Sequence, residues 1–526
     1  MAGTVTPLLT NISLCEATTG WSIESGCSGA PTLTPAPPDN INIQGSYSVY
    51  SYNAGGAARG HSYDLGGNTD LRNLNIYCWF SFSNKANIPV KGSTGMRLRI
   101  YDTAVRGTTW SEWDLFGSDT LPHGGWLPWV VNTSISPSRN GGGGAANLQT
   151  ARWVGWICGG TVTGKTYIYH DAWRYGTGLN IKGGTSGTPT SLADLYTYDA
   201  ANACGVIDKI NGVYFVQGQL TIGSTTGGDA TYFKDTSQAV VFKDGMIPDG
   251  FYDLKLQGNA SANTEVYFGE LTGGRGISGC LFRCQSPSQT PKFKITATDT
   301  NITKFGLYGC TILNAGIIAG QAYNADKQFV DCSIIASAAM EPNTGKVQYC
   351  NFISAAGSAI KLASTSHHTD YCNFISCVDG VELTAAGNAY TFSALMFSGC
   401  TYDVKFSASG TAYVTPTNSS NVSTHHETGG GTTTINYVQI TLRINGLITG
   451  SDVVVYTAGT TTVLVSQQEN SGTYYDYVYP SGDAGNNIDV GVFLAGYRPT
   501  YVRAYTLLSS NASLPIAQQI DRDYLV

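Results

Sequence analysis

The sequence predicts an all-β chain of several domains: a jelly-roll β-sandwich, then a parallel β-helix, then an Ig-like β-sandwich. Three observations carry that expectation. Charged residues fill only 12% of 526 positions, while 64 Gly and 32 Tyr accompany many Ser and Thr, so the surface is hydrated by hydroxyls and amides more than by charge. Apolar residues alternate in short runs between Gly, Asn and Pro, and charged patterns of helical period are almost absent. A cysteine-centred phrase also returns at intervals too short for separate domains, which marks a solenoid.

Residues 1–40 are rich in Thr, Pro, Ser and Gly, close on APTLTPAPPDN, and read as an N-terminal arm and linker. Residues 41–178 hold strands such as INIQGSYSVYSY, LRNLNIYCWFSFS and KTYIYHDAWRYG, at the spacing expected of a jelly roll. The segment Ser136 to Asn147, SPSRNGGGGAAN, reads as a flexible insertion. All nine Trp lie between Trp21 and Trp173. Trp126 and Trp129 are three residues apart, as are Trp153 and Trp156, so on a regular strand the members of each pair face opposite surfaces. One of each belongs to the core, leaving the other for carbohydrate or an interface.

Residues 179–428 change to shorter strands at closer intervals, irregular at first. Cysteine followed two positions later by a large apolar or aromatic residue then appears in GCLF, GCTI, DCSI, YCNF, YCNF and GCTY. Stacked rungs place equivalent residues about 4.8 Å apart, so a small polarisable side chain forms an inward ladder. Cys310, Cys332, Cys350, Cys372 and Cys400 are therefore expected inside the helix, with Ile312, Ile334, Phe352, Phe374 and Tyr402 beside them and no polar partner for the thiols. The stretch THHETGGGTTT reads as a linker. Residues 429–526 alternate again, as in SDVVVYT and NIDVGVFLAGY, and predict the Ig-like sandwich and a tail.

The net charge of −7 has no basic cluster, which excludes nucleic acid as a partner. The start has neither a cationic segment nor an apolar run, so synthesis in a cytoplasm without signal peptide or membrane insertion is expected. Thirteen cysteines without a C-x-x-C pair read as free thiols. The pairs His367-His368 and His425-His426 point to opposite sides of an extended segment, so neither pair chelates; no metal and no cofactor is expected.

The phrases GGWLPWVVN, GGTSGTPTSLADLY, GVYFVQGQLTIGS, FKDTSQAVVFKDG, LYGCTI, GLITGSDVVVYT and QQIDRDYLV resemble a group of tailed-bacteriophage virion proteins, over roughly residues 40 to 526. The resemblance implies a concanavalin-like jelly roll, a right-handed β-helix and a terminal sandwich. It also implies a structural protein of the virion, displayed as a spike, fiber or decoration. Such a protein would form a homotrimer, dock to capsid or tail proteins through its N-terminal region, and attach to a host surface glycan or receptor.

A β-helix in that setting raises polysaccharide cleavage, which needs paired carboxylates. The candidate acids are Asp331, Asp370, Asp379 and Glu382. Their offsets from the cysteine ladder differ, so they are expected to scatter along turns or pair with Lys and Arg, and a non-enzymatic structural role is the preferred reading. A depolymerase tail spike is the alternative. A secreted β-helix adhesin or lyase comes third, because no signal peptide precedes it.

Overall fold

A computed structural model describes residues 3–521 apart from 25, 35–41, 54–56, 108, 122–124, 163, 226–229, 237–238, 243–252, 259–263, 273–274, 285–293, 298–301, 315–317, 321–326, 338, 342–345, 365–367, 418–419, 437–438, 481–482 and 509. The chain is all-β and packs as two compact units, Met1–Ala322 and Tyr323–Val526. Among the described residues no helix is long and apolar enough to cross a membrane.

The first unit opens with two antiparallel sheets. One contains Thr4–Ser13, Thr32–Leu33, Val49–Asn53, Asn75–Phe82, Leu127–Asn132 and Thr166–Lys182; the other contains Trp21–Ile23, Ala57–Thr69, Met96–Tyr101, Trp110–Phe116, Arg139–Asn140 and Ala151–Val162. Alternation along each strand sends Phe80, Leu98, Ile100, Trp156 and Ile168 between the sheets, where they are fully buried. Residues 1–40 are more than an arm and linker. Thr4–Ser13 pairs along Thr166–Lys182, and Trp21–Ile23 pairs with the strand Ala57–Thr69. The supposed insertion is also tied down: Arg139 and Asn140 pair with Glu112 and Ser111, and Arg139 Nη1 lies 2.6 Å from Asp114 Oδ1.

The strand Thr166–Lys182 couples two architectures. Its first residues pair antiparallel with Val49–Asn53, and its last, Gly178 to Ile181, pair parallel with Gln219 to Ile222. At Gly178 a Cβ would stand 1.9 Å from the Gln219 carbonyl oxygen, so only glycine allows the backbones that close. Parallel strands then stack in three sheets, beginning with Val213–Val216, Gln219–Ile222 and Thr231–Asp235. A helix, Leu192–Asn202, precedes them, which the strand-dominated reading did not anticipate. Its signal was the Ser191-to-Asp194 spacing, which forms a capping box. Its C-terminal carbonyls at Asn202 and Ala203 accept hydrogen bonds from the Arg174 guanidinium. Asp199 accepts the backbone N–H groups of Gly205, Val206 and Ile207 at 2.8 to 2.9 Å.

The second unit also begins with three-strand rungs. Ser333–Ile335, Asn351–Ile353, Asn373–Ile375 and Met396–Ser398 form one sheet in strict register. Ser358–Leu362, Asp379–Leu383, Tyr402–Phe406 and His425–Glu427 belong to a second, and His368–Asp370, Ala389–Ser393, Thr411–Thr417 and Thr432–Ile435 to a third. The supposed linker from Thr424 is thus a rung, since His425–Glu427 pairs with Val404 to Phe406 and Thr432–Ile435 with Thr411 to Val414. Seven strands follow as two sheets around Leu442, Ile444, Val453, Val455, Val490 and Val492.

The repeated YCNFIS phrase marks a corner. Tyr349 and Tyr371 take left-handed φ of 57° and 53°, Cys350 and Cys372 turn inward, and Phe352 and Phe374 follow on the strand. Cys332 holds the same place one rung earlier, and Cys310 lies buried beside Cys280 in the first unit. Two details differ from expectation. Leu395, not Cys400, is the register partner of Cys372, so Phe397 and not Tyr402 continues the aromatic row. Cys400 follows a second corner at Gly399, matching Cys377 after Ser376, and is half-buried. The ladder thiols are not partnerless either: Cys350 Sγ donates towards the Phe329 and Gln348 carbonyls at 3.5 and 3.4 Å, and Cys372 Sγ towards Asp370 O at 3.3 Å.

Phe374 lies between Phe352 and Phe397, with ring centroids 5.0 and 4.9 Å away and planes nearly parallel. Phe374→Ala should therefore cost about 3 to 5 kcal/mol in urea unfolding; a loss under about 1 kcal/mol would show that the row is not a packed core. The thiols should also react in a set order. Hydrogen bonding from Cys377 lowers the Cys400 thiol to about 7, whereas burial raises Cys350 well above its ordinary value. Labelling of the native protein should reach Cys400 first, with a rate that rises through about pH 7, and leave Cys350 unmodified.

Candidate functional site

The outer face of the second sheet carries a row of charges set by register. Lys361 opposes Glu382, Glu382 opposes Lys405, and Lys405 opposes His426 on successive rungs. On the same rungs Val381 and Val404 turn inward and are fully buried, so alternation projects Glu382, Lys405 and His426 outward. Opposite charges directly across a strand pair attract, and Lys405 Nζ stands 3.8 Å from Glu382 Oε2 and 3.5 Å from Asp379 Oδ2.

Ser358 joins the two acids. Its hydroxyl lies 2.6 Å from Glu382 Oε2 and 3.2 Å from Asp379 Oδ2, so the carboxylates stand within two hydrogen bonds of each other. A hydroxyl has one proton to donate, and the shorter contact assigns it to Glu382. Burial alone would raise the Glu382 carboxyl. Hydrogen bonds from Ser358 and Ser407, with the charges of Lys405 and Lys361, outweigh burial and hold it below its ordinary value. Asp379 is only 4% exposed, yet its Oδ1 has no hydrogen-bond partner. Facing it at 3.7 Å is His426 Nδ1, also buried and unpartnered. That distance is too long for a direct hydrogen bond. The Tyr402 ring packs on His426 with centroids 4.0 Å apart.

The four candidate acids therefore separate into pairs. Asp331 sits at a left-handed corner with φ 58°, and Asp370 accepts a hydrogen bond from Gln348 at 3.3 Å, both away from the Ser358 hydroxyl. Asp379 and Glu382 do not scatter along turns: they come together and pair with Lys405, the other arrangement expected of them. Asp403, next to Tyr402, is consumed by structure: its Oδ2 accepts from Ser423 N, Ser423 Oγ and Thr424 N. Sequence reasoning missed Ser358, Lys405 and His426. Their signal was a spacing of one rung from Asp379 and Glu382 for Ser358 and Lys405 and of two rungs for His426, hidden because the rungs were counted only from the cysteines.

Of the aromatic pairs, Trp156 is fully buried, and Trp129 packs on Phe116 with centroids 4.2 Å apart. Trp153 donates to the Ala104 carbonyl and lies under the Arg106 guanidinium, and Trp126 is half-buried near Tyr169. Trp126 borders outward tyrosines in two cross-strand pairs, Tyr52 with Tyr167 and Tyr50 with Tyr169. His367 lies outside the described residues, and of His368 only the backbone is described. His425 pairs with Glu427 at 3.1 Å, on the other side of its strand from His426. Among the described residues no three His, Cys, Asp or Glu side chains converge as a metal site.

The depressed Glu382 titration has a stability consequence. A carboxylate with a lowered folded-state pKa stabilises the fold above its unfolded pKa and loses that contribution as pH falls through the folded value. Glu382→Gln should therefore be destabilised against the parent at pH 7, with the gap closing as pH falls below the ordinary carboxylate range. Equal gaps in urea unfolding above and below that range would show that the ion pairs contribute nothing.

No protein-family model and no curated protein matches the chain. Among solved structures it is similar to a family 11 carbohydrate-binding module from Clostridium thermocellum in complex with a mixed-linked tetrasaccharide, at 10% identity and TM-score 0.24, over 33% of this chain and 96% of that one. It is also similar to the catalytic domain of a GH87 alpha-1,3-glucanase in complex with nigerose, at 11% identity and TM-score 0.19, over 83% of this chain and 96% of that one. An exo-beta-agarase matches at 8% identity and TM-score 0.20, over 40% of this chain and 36% of that one. TM-scores this low leave residue roles and substrate to the geometry of the chain itself. The non-enzymatic expectation is not retained, because Asp379 and Glu382 meet at one Ser358 hydroxyl.

Proposed function

We propose that the chain acts on polysaccharide and cleaves glycosidic bonds at the Asp379 and Glu382 face of its second unit. The observation that carries this reading is the pair of carboxylates joined by Ser358, with Asp379 Oδ1 and His426 Nδ1 left facing each other without partners. Glycoside hydrolysis uses two carboxyl groups, one giving a proton to the leaving oxygen and one remaining anionic. Glu382, held ionised by two hydroxyls and two lysines, takes the anionic role. Asp379, whose free oxygen faces His426, takes the proton-transfer role.

Incubation of the purified protein with bacterial capsule, lipopolysaccharide and α- and β-glucans should release new reducing ends from at least one of them. Asp379→Asn and Glu382→Gln should each lower that release by about a hundredfold or more. Release from none of the substrates, or undiminished release by both variants, would overturn the assignment.

A second reading concerns where such an activity is displayed: on a bacteriophage particle, as a homotrimer docked through its N-terminal region. The particle setting is supported by phrases such as GLITGSDVVVYT, which resemble virion proteins. The trimer is supported by an apolar strip on the rungs, where Tyr371, Ile375 and Met396 are 47%, 38% and 44% exposed. Sedimentation should give three chains per particle of protein, and Met396→Glu should shift it towards one; a parent sedimenting as a monomer at micromolar concentration would refute the trimer.

A further inference from the structure

We propose a second binding site, for one uncharged pyranose ring, in a cavity of about 190 Å³ within the first unit. The cavity lies where the helix Leu192–Asn202 meets the sandwich strand Asn75–Phe82 and the first rung, and Trp79, Pro128, Tyr196, Ile207, Asp208 and Gln217 line it. The site stands apart from Asp379 and Glu382 in sequence and does not depend on the hydrolytic reading.

The walls are held before any ligand arrives. Trp79 Nε1 donates to the Ala203 carbonyl at 3.0 Å, which fixes the indole plane against the end of the helix. Asp199 spends its carboxylate on three backbone N–H groups and so builds the wall without serving a ligand. Gly205 takes φ 78°, and a Cβ there would lie 3.3 Å from both the Trp79 indole nitrogen and Pro128 Cβ. That glycine keeps the space open.

The chemistry of the lining selects the ligand. Indole, phenol, proline and isoleucine surfaces suit the C–H face of a sugar, while the Asp208 carboxylate and Gln217 amide meet hydroxyls. The Gln217 amide has donors to spare, its side chain making, among the described residues, a weak 3.4 Å bond to the Gly205 carbonyl. Among the described residues no Lys, Arg or His lines the cavity, so the lining offers an anionic ligand no cation, and Asp208 repels one. A space of this size takes a ligand of about one sugar ring.

The test uses the full chain with D-glucose, D-galactose, D-mannose, N-acetylglucosamine and D-glucuronate, read by saturation-transfer NMR and by tryptophan fluorescence. At least one neutral sugar should bind saturably and glucuronate should not. Tyr196→Ala, Asp208→Asn and Gln217→Ala should each weaken binding by about tenfold, while Asp331→Asn leaves it unchanged. Trp79 is left intact because its indole supports the Ala203 carbonyl. Failure of every neutral sugar to bind, glucuronate binding as tightly as the best of them, or affinity unaltered in all three cavity variants would each overturn the proposal.

Discussion

Parallel strands paired in register bring each residue of a rung about 4.8 Å from its counterpart on the next, and in this chain that spacing governs both the interior and the outer face. Inside, it stacks Phe352, Phe374 and Phe397 with nearly parallel rings. Outside, it sets Lys361, Glu382, Lys405 and His426 in one row, so that each charge meets its opposite or a histidine and never a like charge. A slip of one residue would turn Glu382 inward and Val381 and Leu383 outward, where the buried charge would cost far more than any contact returned. The register thus protects the core and assembles the site by the same backbone hydrogen bonds.

The acids of this protein separate by how fully they are used. Asp199 and Asp403 each accept several N–H or O–H groups and act as pins for the turn beside them. Asp379 is as deeply buried but keeps one oxygen without a partner, next to an imidazole nitrogen in the same state. A buried polar atom without a partner is costly, and among the described residues the fold leaves such atoms at other places too, Glu24 Oε2 and Asp102 Oδ1 among them. The same contrast separates Asp199 from Asp208 at the cavity, where the first is spent on the wall and the second lines the space.

The first unit solves a different problem, joining an antiparallel sandwich to a parallel solenoid without a flexible hinge. One continuous strand does this, with glycine where the neighbouring backbone comes closest. The helix Leu192–Asn202 then packs on the opening rung, its N-terminus held by Ser191 and Asp194 and its last carbonyls by Arg174. Since Arg174 belongs to the strand and the carbonyls to the helix, strand, helix and rung are tied together, and the cavity at their meeting point inherits that rigidity.

Local signals sufficed for the fold class, for the order of sandwich, solenoid and sandwich, and for the inward turn of Cys350 and Cys372, because alternation and a repeated phrase are properties of consecutive residues. They misled where one chain position has two structural equivalents: Cys400 matched the cysteine phrase but follows the second corner, and Leu395, with no cysteine to announce it, took the ladder place. Residues 1–40 and the stretch from Thr424 carry the composition of linkers, yet their backbones complete sheets whose other strands lie far away in sequence. The site was legible only as a set of acids. Rung lengths vary, so the offsets of Asp379 and Glu382 from the cysteines carry no distance. Only the closed turns of the solenoid bring Ser358, Lys405 and His426 to them, because hydrogen bonds between rungs, not separation along the chain, decide which side chains meet.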